Sequence, residues 1–251
     1  MAWHTVYEKV KPYVVRISTQ DGFGTGFLFA YNKDHSLAAI ATAAHVVEQA
    51  RDWRQPLKIT HYASGETVFF SHDDRVIWLD TSRDAATIII PSRMFKFPTS
   101  TLQLMDSTKF KKIGVEVAWV GFPNLAANSL CFFSGQISSF VPEDDSYLID
   151  GVAINGVSGG PVFNELGDSM PELIGLVSAY MANRRATDTL PGLLRAQDVT
   201  SFHGHIKMMK DLDDAKEKEH ETQTQIDKET KPVPNTAPEP TPTAPSVSDK
   251  P

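Results

Sequence analysis

The sequence predicts an all-β fold, a sandwich or a barrel, for most of the chain. Short runs rich in Val, Ile, Phe and Thr recur at intervals of about ten residues, separated by turn signals. These residue types favour strands, and the regular spacing favours a sandwich or barrel over alternating strands and helices. Helical periodicity is confined to residues 3–11, to the stretch directly after His45, and to residues 199–212.

The predicted strands follow one another with few interruptions. In chain order they are YVVRIST, GTGFLFAYN, LAAIATAAHVV, LKITHYA, TVFFSHD, RVIWLD, AATIIIP, EVAWVGFP, FFSGQISSF, YLIDGVAI, PVFNE and ELIGLVSAY. Each run has the length of an ordinary strand and is bounded by residues that favour turns. The chain therefore has enough strands for a large β domain.

The C-terminal segment 211–251 differs in composition from the rest. It contains ten acidic and five basic residues, and seven of the sixteen prolines fall between Pro232 and Pro251. Such a segment buries too little apolar surface to offset the entropy cost of ordering it. We therefore expect one folded domain over 1–210, with a last helix that ends near Leu212, and a disordered acidic, proline-rich tail over 211–251.

Charge and cysteine content exclude several classes of function. The net charge is −7, and subtracting the −5 of the tail leaves −2 for the folded domain. A nucleic-acid-binding protein would show a basic surface instead. Cys131 stands alone, so an intrachain disulfide is impossible. No secretory signal or transmembrane run is visible, so we expect a cytoplasmic protein that contacts neither nucleic acid nor membrane.

Three glycines and a proline surround one serine in NGVSGGPVF, residues 155–163. Glycine is costly to order, so the cluster indicates an unusual backbone path. The segment also fits G-x-S-x-G, the nucleophile turn of α/β-hydrolases, in which the acid and the histidine follow the serine. The candidates for that arrangement are Asp188, Asp198, His203 and His205. The predicted strands before Ser158 have no intervening helices, which argues against that fold.

A histidine and an aspartate precede the serine in contexts of their own. His45 lies in IATAAHVV, at the end of an apolar strand, and Asp84 lies in SRDAATIII, where a buried strand begins. A carboxylate at the mouth of a buried strand needs a partner, because burying an unpaired charge is costly. Asp80 lies four residues earlier and is a second candidate for the acid. The order His, Asp, Ser is one in which catalytic triads occur.

The segments TAAHVV, RDAATIII and GVSGGPVF resemble the three catalytic segments of chymotrypsin-fold, trypsin-like serine proteases. GFGTGFLFA, VGFP, SGQISSF and ELIGLVSAY are similar to further strands of the HtrA/Deg-type protease domain, and the resemblance covers residues 10–180. It implies two six-stranded antiparallel β-barrels, followed here by a C-terminal helix and the tail. HtrA-type proteases usually add a PDZ domain, and no segment after Tyr180 looks suited to form one.

The resemblance also implies a role for each site residue. Ser158 is the nucleophile, His45 the general base, and Asp84 the acid that orients the histidine. The backbone N–H groups of Gly156 and Ser158 form the oxyanion hole. Val157 replaces the aspartate that secreted digestive members pair with a new N-terminus, so activation by propeptide cleavage is not expected. These roles predict a serine endopeptidase that acts on proteins or peptides through an acyl-enzyme, without cofactor or metal.

The same resemblance assigns the substrate pocket. Val152 and Ala153 form its base, and Ser178, Ala179 and Tyr180 form its wall. Without an acidic residue at the base, a basic side chain has no counter-charge, so small or medium apolar residues are expected before the scissile bond. The alternative is a catalytically silent β-barrel that binds other proteins, since a fold alone does not determine function.

Overall fold

The structure is a computed structural model, and it describes residues 3–164, 170–184 and 189–229. The described residues form two seven-stranded β-sheets and three α-helices, joined by turns and short 3₁₀ segments. The chain divides into a unit over 1–213, which contains both sheets, and a second unit over 214–251. The all-β class predicted from strand spacing is confirmed.

The first sheet is an open half-barrel in which all strand pairs are antiparallel. Its strands are β1 (Val14–Ser18), β2 (Phe23–Tyr31), β3 (Leu37–Thr42), β4 (Leu57–His61), β5 (Thr67–Phe70), β6 (Val76–Asp80) and β7 (Ala85–Pro91). They lie in the order β5-β4-β1-β2-β3-β7-β6. The central strands β2, β3 and β7 are buried over most of their length, as their nearly continuous apolar runs require.

A buried arginine lies between the two edge strands of this sheet. The Arg75 guanidinium donates to the carbonyls of Phe70 (2.9 Å), Ser71 (2.5 Å), Ala50 (3.3 Å) and Gln55 (2.5 Å). The arginine thus links the end of β5 to backbone carbonyls at positions 50 and 55. The predicted chymotrypsin-like two-barrel fold is confirmed, although this half is an open sheet of seven strands where a six-stranded barrel was predicted. Among the described residues no strand pairing joins the two edge strands β5 and β6.

The second sheet closes on itself. Its strands are β8 (Gln103–Leu104), β9 (Glu116–Gly121), β10 (Cys131–Val141), β11 (Ser146–Asp150), β12 (Pro161–Asn164), β13 (Glu172–Arg184) and β14 (Thr189–Asp198). The order is β12-β9-β10-β11-β14-β13-β8, and an additional β12–β13 pairing closes a six-stranded antiparallel barrel. The predicted six-stranded second barrel is confirmed, and β8 joins it outside the ring by a parallel pairing with β13.

Two strands of the second sheet have no counterpart among the predicted strands. Strand β8 is only two residues long, and β14 contains Pro191 and Gly192, which are typical of turns. Strand β14 nevertheless pairs with both β11 and β13 and so completes the barrel. Long-range pairing therefore overrides the local turn signal.

Helices α1 (Trp3–Val10) and α2 (Ala44–Asp52) coincide with two of the predicted helical segments. Helix α3 (Thr200–Glu229) begins where the third was predicted. Its first turn places Phe202 in the core, with its ring centroid 4.9 Å from that of Phe29. No helix in the described ranges is long and apolar enough to cross a membrane.

Helix α3 extends well beyond its predicted end near Leu212. The segment from Asp211 to Glu229, predicted to be disordered, is helical instead. It contains Lys, Glu and Gln, which propagate a helix with little need for core contacts once it has started. A lack of buried apolar surface therefore does not by itself prevent helix formation here. The rest of the predicted tail, 230–251, lies outside the described residues, and the domain division at residue 210 stays a prediction.

Candidate active site

His45 is held at the N-terminus of α2 by Asp84. The N-cap residue Ala43 offers no side-chain acceptor to the first N–H groups of the helix. Asp84 supplies the acceptors instead. Its carbonyl accepts from Ala44 N at 3.1 Å, and its Oδ1 accepts from His45 N at 3.0 Å. A carboxylate is favourable at a helix N-terminus, so the cap fixes the backbone of His45 relative to Asp84.

The same carboxylate meets the imidazole ring. His45 Nδ1 lies 3.0 Å from Oδ1 and 2.9 Å from Oδ2 of Asp84. The hydrogen bond with Asp84 raises the pKa of His45 above its ordinary value, against an opposing effect of burial. Burial raises the pKa of Asp84, but hydrogen bonds from His45 and Ser178 outweigh it, and the pKa is lowered overall. Each partner thus favours the charged form of the other.

Asp84 reaches this position through a left-handed backbone conformation. Its φ is +48°, in a region that non-glycine residues seldom occupy, although aspartate tolerates it better than most. The residue ends the turn that precedes β7, and the unusual angle accompanies the contact of both its carbonyl and its carboxylate with the start of α2. Such strain persists where surrounding contacts hold it in place.

Asp80, the second candidate for the acid, is engaged elsewhere. Its Oδ1 accepts from the Ser82 hydroxyl at 2.6 Å and from Arg83 N at 3.2 Å. Its other oxygen lies 3.8 Å from the Arg83 guanidinium. Of the two acids left open by the sequence, the structure therefore brings Asp84 to His45.

The residues of the α/β-hydrolase alternative do not approach the serine. His203 Nε2 donates to the carbonyl of Met105 at 2.7 Å, and His205 Nδ1 lies 2.7 Å from the Thr87 hydroxyl. Asp198 caps α3 by accepting from Thr200 N at 2.7 Å, and Asp188 lies outside the described residues. The two-sheet architecture excludes the α/β-hydrolase fold.

Ser158 lies in a turn whose glycines need positive φ angles. Gly156 has φ +95° and Gly159 has φ +82°. A Cβ atom on Gly159 would overlap the Thr25 carbonyl and the Thr42 hydroxyl, and one on Gly156 would overlap the Phe122 carbonyl. Both positions therefore need glycine for conformation and for close approach, which is the physical meaning of the cluster in the sequence.

Thr25 of β2 connects this turn to both sheets by hydrogen bonds. The sequence offered no signal for this role beyond the motif GTG, residues 24–26. Its backbone N donates to Ser158 O at 2.8 Å, and its hydroxyl donates to Gly156 O at 2.9 Å. The hydroxyl also accepts from Phe122 N at 3.0 Å, and the carbonyl accepts from the Thr42 hydroxyl at 2.7 Å. The residue is fully buried, so these bonds are shielded from water.

His45 and Ser158 line one open cleft of about 330 Å³. Among the described hydrogen bonds none joins the Ser158 hydroxyl to the imidazole, and such bonds are often loose in sites without substrate. The remaining wall consists of the β1–β2 turn with the first residue of β2, the start of α2, the loop after β9 and the residues before Ser158. These lining residues are Thr19, Asp21, Gly22, Phe23, Val46, Asn124, Asn155 and Gly156.

The predicted substrate residues behave differently from one another. Val152 is 56% exposed, which does not fit the base of a closed pocket, whereas Ala153 is half-buried and packs against the core. Ser178 is buried, and its hydroxyl donates to Asp84 at 2.6 Å, so this hydroxyl supports the acid. The assignment of β13 at Ser178 to the pocket wall stays a prediction. Ala179 is half-buried, and the side chain of Tyr180 lies outside the described residues.

Two β-sheets that meet at a histidine–aspartate pair and a glycine-rich serine turn define a protein of the chymotrypsin-fold class. The chain belongs to the trypsin-like peptidase domain family, whose model matches residues 24–176. Membership of this family makes it a serine endopeptidase, whose substrates are proteins or peptides. No curated protein matches the chain.

Solved structures of proteases share the fold of this chain. The chain is 19% identical to the Rv3671c protease of M. tuberculosis H37Rv in an inactive form, with a TM-score of 0.58 over 81% of this chain and 92% of that one. It is 18% identical to a serine endoprotease from Yersinia pestis, with a TM-score of 0.61 over 83% of this chain and 66% of that one. The predicted resemblance to HtrA-type protease domains is confirmed.

Proposed function

We propose that the chain hydrolyses peptide bonds through an acyl-enzyme on Ser158, with His45 as general base and Asp84 as its orienting acid. The observation that carries the proposal is the 2.9 Å contact between His45 Nδ1 and Asp84, made by a histidine that shares a cleft with Ser158. With Nδ1 engaged, Nε2 is the ring atom available to the serine. A serine hydroxyl is a weak nucleophile without such a base.

The chemical steps follow from these roles. Ser158 Oγ attacks the scissile carbonyl carbon while His45 Nε2 accepts the hydroxyl proton. The tetrahedral intermediate collapses when the imidazolium returns that proton to the leaving nitrogen, which breaks the peptide bond and leaves an ester on Ser158. Water then attacks the ester, again giving a proton to His45. The second collapse returns the proton to Ser158 and releases the acid.

The backbone of Gly156 and Ser158 is suited to bind the oxyanion. The carbonyl of Asn155 accepts from Asn124 N at 2.8 Å, so the trans peptide directs the Gly156 N–H to the opposite side. Neither this N–H nor that of Ser158 donates to another residue in the described ranges. Both donors thus remain available to a substrate oxygen, each contributing about 3 kcal/mol to transition-state stabilisation. This geometry supports a hole that is formed without a partner protein.

The acyl part of the substrate consists of the residues before the scissile bond. We assign it to the segment from Val152 to Ala153 and to strand β13 at Ser178, Ala179 and Tyr180. No acidic side chain lies at Val152 or Ala153, so we propose that a small or medium apolar residue precedes the scissile bond. The exposure of Val152 supports a shallow site. Preference within the small apolar residues is then loose, because a missing methylene costs only about 1–3 kcal/mol.

Covalent labelling with a fluorophosphonate tests the proposal. The wild type should be labelled and should release a burst of product from an activated ester, whereas Ser158→Ala should do neither. Ser138→Ala is the matched control, because Ser138 is exposed on β10 and away from the cleft. Labelling that survives in Ser158→Ala would contradict the assignment of the nucleophile. A wild type without labelling or burst would instead favour the silent, protein-binding β-barrel.

A further inference from the structure

The open cleft extends from Ser158 toward the β1–β2 turn and holds one acidic side chain, Asp21, in its described wall. We propose that this cleft receives the leaving-group part of the substrate, and that Asp21 makes it prefer lysine or arginine there. The inference deepens the proposed function and rests on it. It concerns the first or second residue after the scissile bond.

The serine turn has strand β13 on one side and the cleft on the other, and this arrangement determines which part of the substrate the cleft receives. Strand β13 lies on one side, because Gly159 N donates to Val177 O at 2.6 Å and Val177 N donates to Gly160 O at 2.9 Å. The opposite side of the turn faces the cleft wall. A Cβ atom on Gly156 would come within 2.7 Å of the Phe23 ring and 2.9 Å of Asn124 Oδ1.

The acyl part of the substrate is assigned to the β13 side, so the chain must leave toward Phe23 and Asn124. The histidine supports this direction. Its Nδ1 edge is occupied by Asp84, which also binds Ser178 of β13. The ring also lines the cleft, and its remaining nitrogen must give a proton to the leaving amine. The leaving amine and the residues after it therefore lie in the cleft.

Asp21 is exposed at the tip of the tight turn between β1 and β2. The turn is closed by Thr19 N donating to Gly22 O at 2.9 Å and by Asp21 N donating to the Thr19 hydroxyl at 3.3 Å. These bonds use the backbone of Asp21 and leave its carboxylate open. No ion pair to that carboxylate occurs within the part of the chain that the structure describes.

The charged groups Arg16 and Glu48 lie around the cleft in addition to Asp21. Arg16 is the nearby cation, and its guanidinium lies 4.1 Å from the centroid of the Phe23 ring and donates to Asn128 at 3.1 Å. Glu48 is one turn along α2 from His45 and adds to the negative potential there. The part of the Phe23 ring that lines the cleft and the side chain of Val46 suit the methylene stem of a lysine or arginine whose head reaches the Asp21 carboxylate.

The expected preference is modest, because Asp21 is exposed to solvent. An exposed ion pair changes kcat/KM by about fivefold at most, and salt weakens it. The full-length chain is incubated with a mixed peptide library at low and at high ionic strength, and cleavage sites are read by mass spectrometry. Matched peptides with Lys, norleucine or Glu after the scissile bond then give kcat/KM for each.

The wild type should cleave the Lys peptide up to about fivefold faster than the norleucine peptide, with Glu the slowest. Asp21→Asn should remove the difference, and Asp21→Lys should reverse it. Asp73→Asn is the matched control, since Asp73 is also exposed but lies outside the cleft. Fluorophosphonate labelling should be the same in all four proteins.

The outcomes separate the two proposals. Normal labelling and hydrolysis without a charge preference would overturn the role of Asp21 alone. A lysine preference that survives in Asp21→Asn would assign it to another residue and would also overturn that role. Absence of both labelling and hydrolysis in the wild type would overturn the proposed function, and this inference with it.

Discussion

The hydroxyl of Ser178 donates a 2.6 Å hydrogen bond to Oδ2 of Asp84, across 94 positions of the chain. The same oxygen lies 2.9 Å from His45 Nδ1. Strand β13, the turn before β7 and the start of α2 are thus linked through one carboxylate. Ser178 is a positioning residue in this arrangement, because it acts on the histidine through the acid.

Replacing Ser178 with alanine should lower kcat by about 10- to 100-fold, since a hydrogen bond to a charged group contributes about 1.5–3 kcal/mol. KM should change little, whereas a residue of the pocket wall would affect KM first. Steady-state kinetics with a peptide substrate separate the two effects. Ser178→Thr, which keeps the hydroxyl, should recover part of the activity.

Ser146→Ala is the matched control for the loss of a buried hydroxyl. Ser146 is buried on β11, and its hydroxyl has no hydrogen-bond partner among the described residues. Its replacement should leave kcat and KM unchanged. A Ser178→Ala variant that behaves like this control would show that Asp84 needs no support from β13.

Changing Asp84 to asparagine should reduce kcat by about 10⁴, the loss expected when the acid of such a triad becomes an amide. The raised pKa of His45 places the acid limb of kcat/KM above 6.5, because the imidazolium cannot accept the serine proton. Without the carboxylate the limb should move to lower pH. Asp80→Asn, next to the site but not in contact with His45, should retain both rate and profile.

The same pair should stabilise the fold within a defined pH window. Because the pKa of His45 is raised, the histidine contributes to the free energy of unfolding. That contribution is full below pH 6.5 and is lost as the pH rises through the pKa of His45 in the folded protein. Because the pKa of Asp84 is lowered, the aspartate makes a second contribution to the free energy of unfolding. This one is full above pH 3.8 and is lost as the pH falls through the pKa of Asp84 in the folded protein. The Tm difference between wild type and Asp84→Asn should therefore be larger at pH 5 than at pH 9. An equal difference at both values would contradict the pairing.

Thr25→Val should destabilise the protein by about 2–4 kcal/mol. The substitution keeps the shape of the side chain but leaves Phe122 N and the Gly156 carbonyl without their partner, and each buried unsatisfied group costs about 1–3 kcal/mol. Urea denaturation measures the loss. Thr25→Ser should cost less because the hydroxyl remains. Thr60→Val, which removes only an exposed bond to Thr67, should be nearly neutral.

Gly159→Ala should be much more damaging than Gly65→Ala, although both residues have positive φ angles of +82° and +71°. A Cβ atom on Gly65 meets nothing within 4 Å, so only the conformational cost of about 1–2 kcal/mol applies. On Gly159 it would overlap the backbone of β2, which forces the serine turn to move. Thermal melts and fluorophosphonate labelling should show a small loss of Tm and normal labelling for Gly65→Ala. Gly159→Ala should lose both, and equal behaviour of the two variants would contradict the close approach.

Much of the fold and the site follows from local patterns in the sequence. Strands such as β2, β3 and β7 are long apolar runs between turn residues, so their existence depends on neighbours in the chain. The serine turn was visible because only glycine adopts its φ angles at low cost. Helices α1 and α2 were predicted because helical periodicity, like an apolar strand run, depends only on nearby residues of the chain.

The tertiary structure decided whatever depends on contacts between distant segments. The sequence favoured Asp84 as the acid but left Asp80 as a competing candidate, and the packing of the turn before β7 against α2 brings Asp84 to His45. Strand β14 forms despite its proline and glycine, because two neighbouring strands supply its hydrogen bonds. The roles of Ser178 and Thr25, and the presence of Asp21 in the cleft, likewise arise from pairings across the two sheets. A side chain's partner is set by three-dimensional packing, which a local pattern of residue types does not encode.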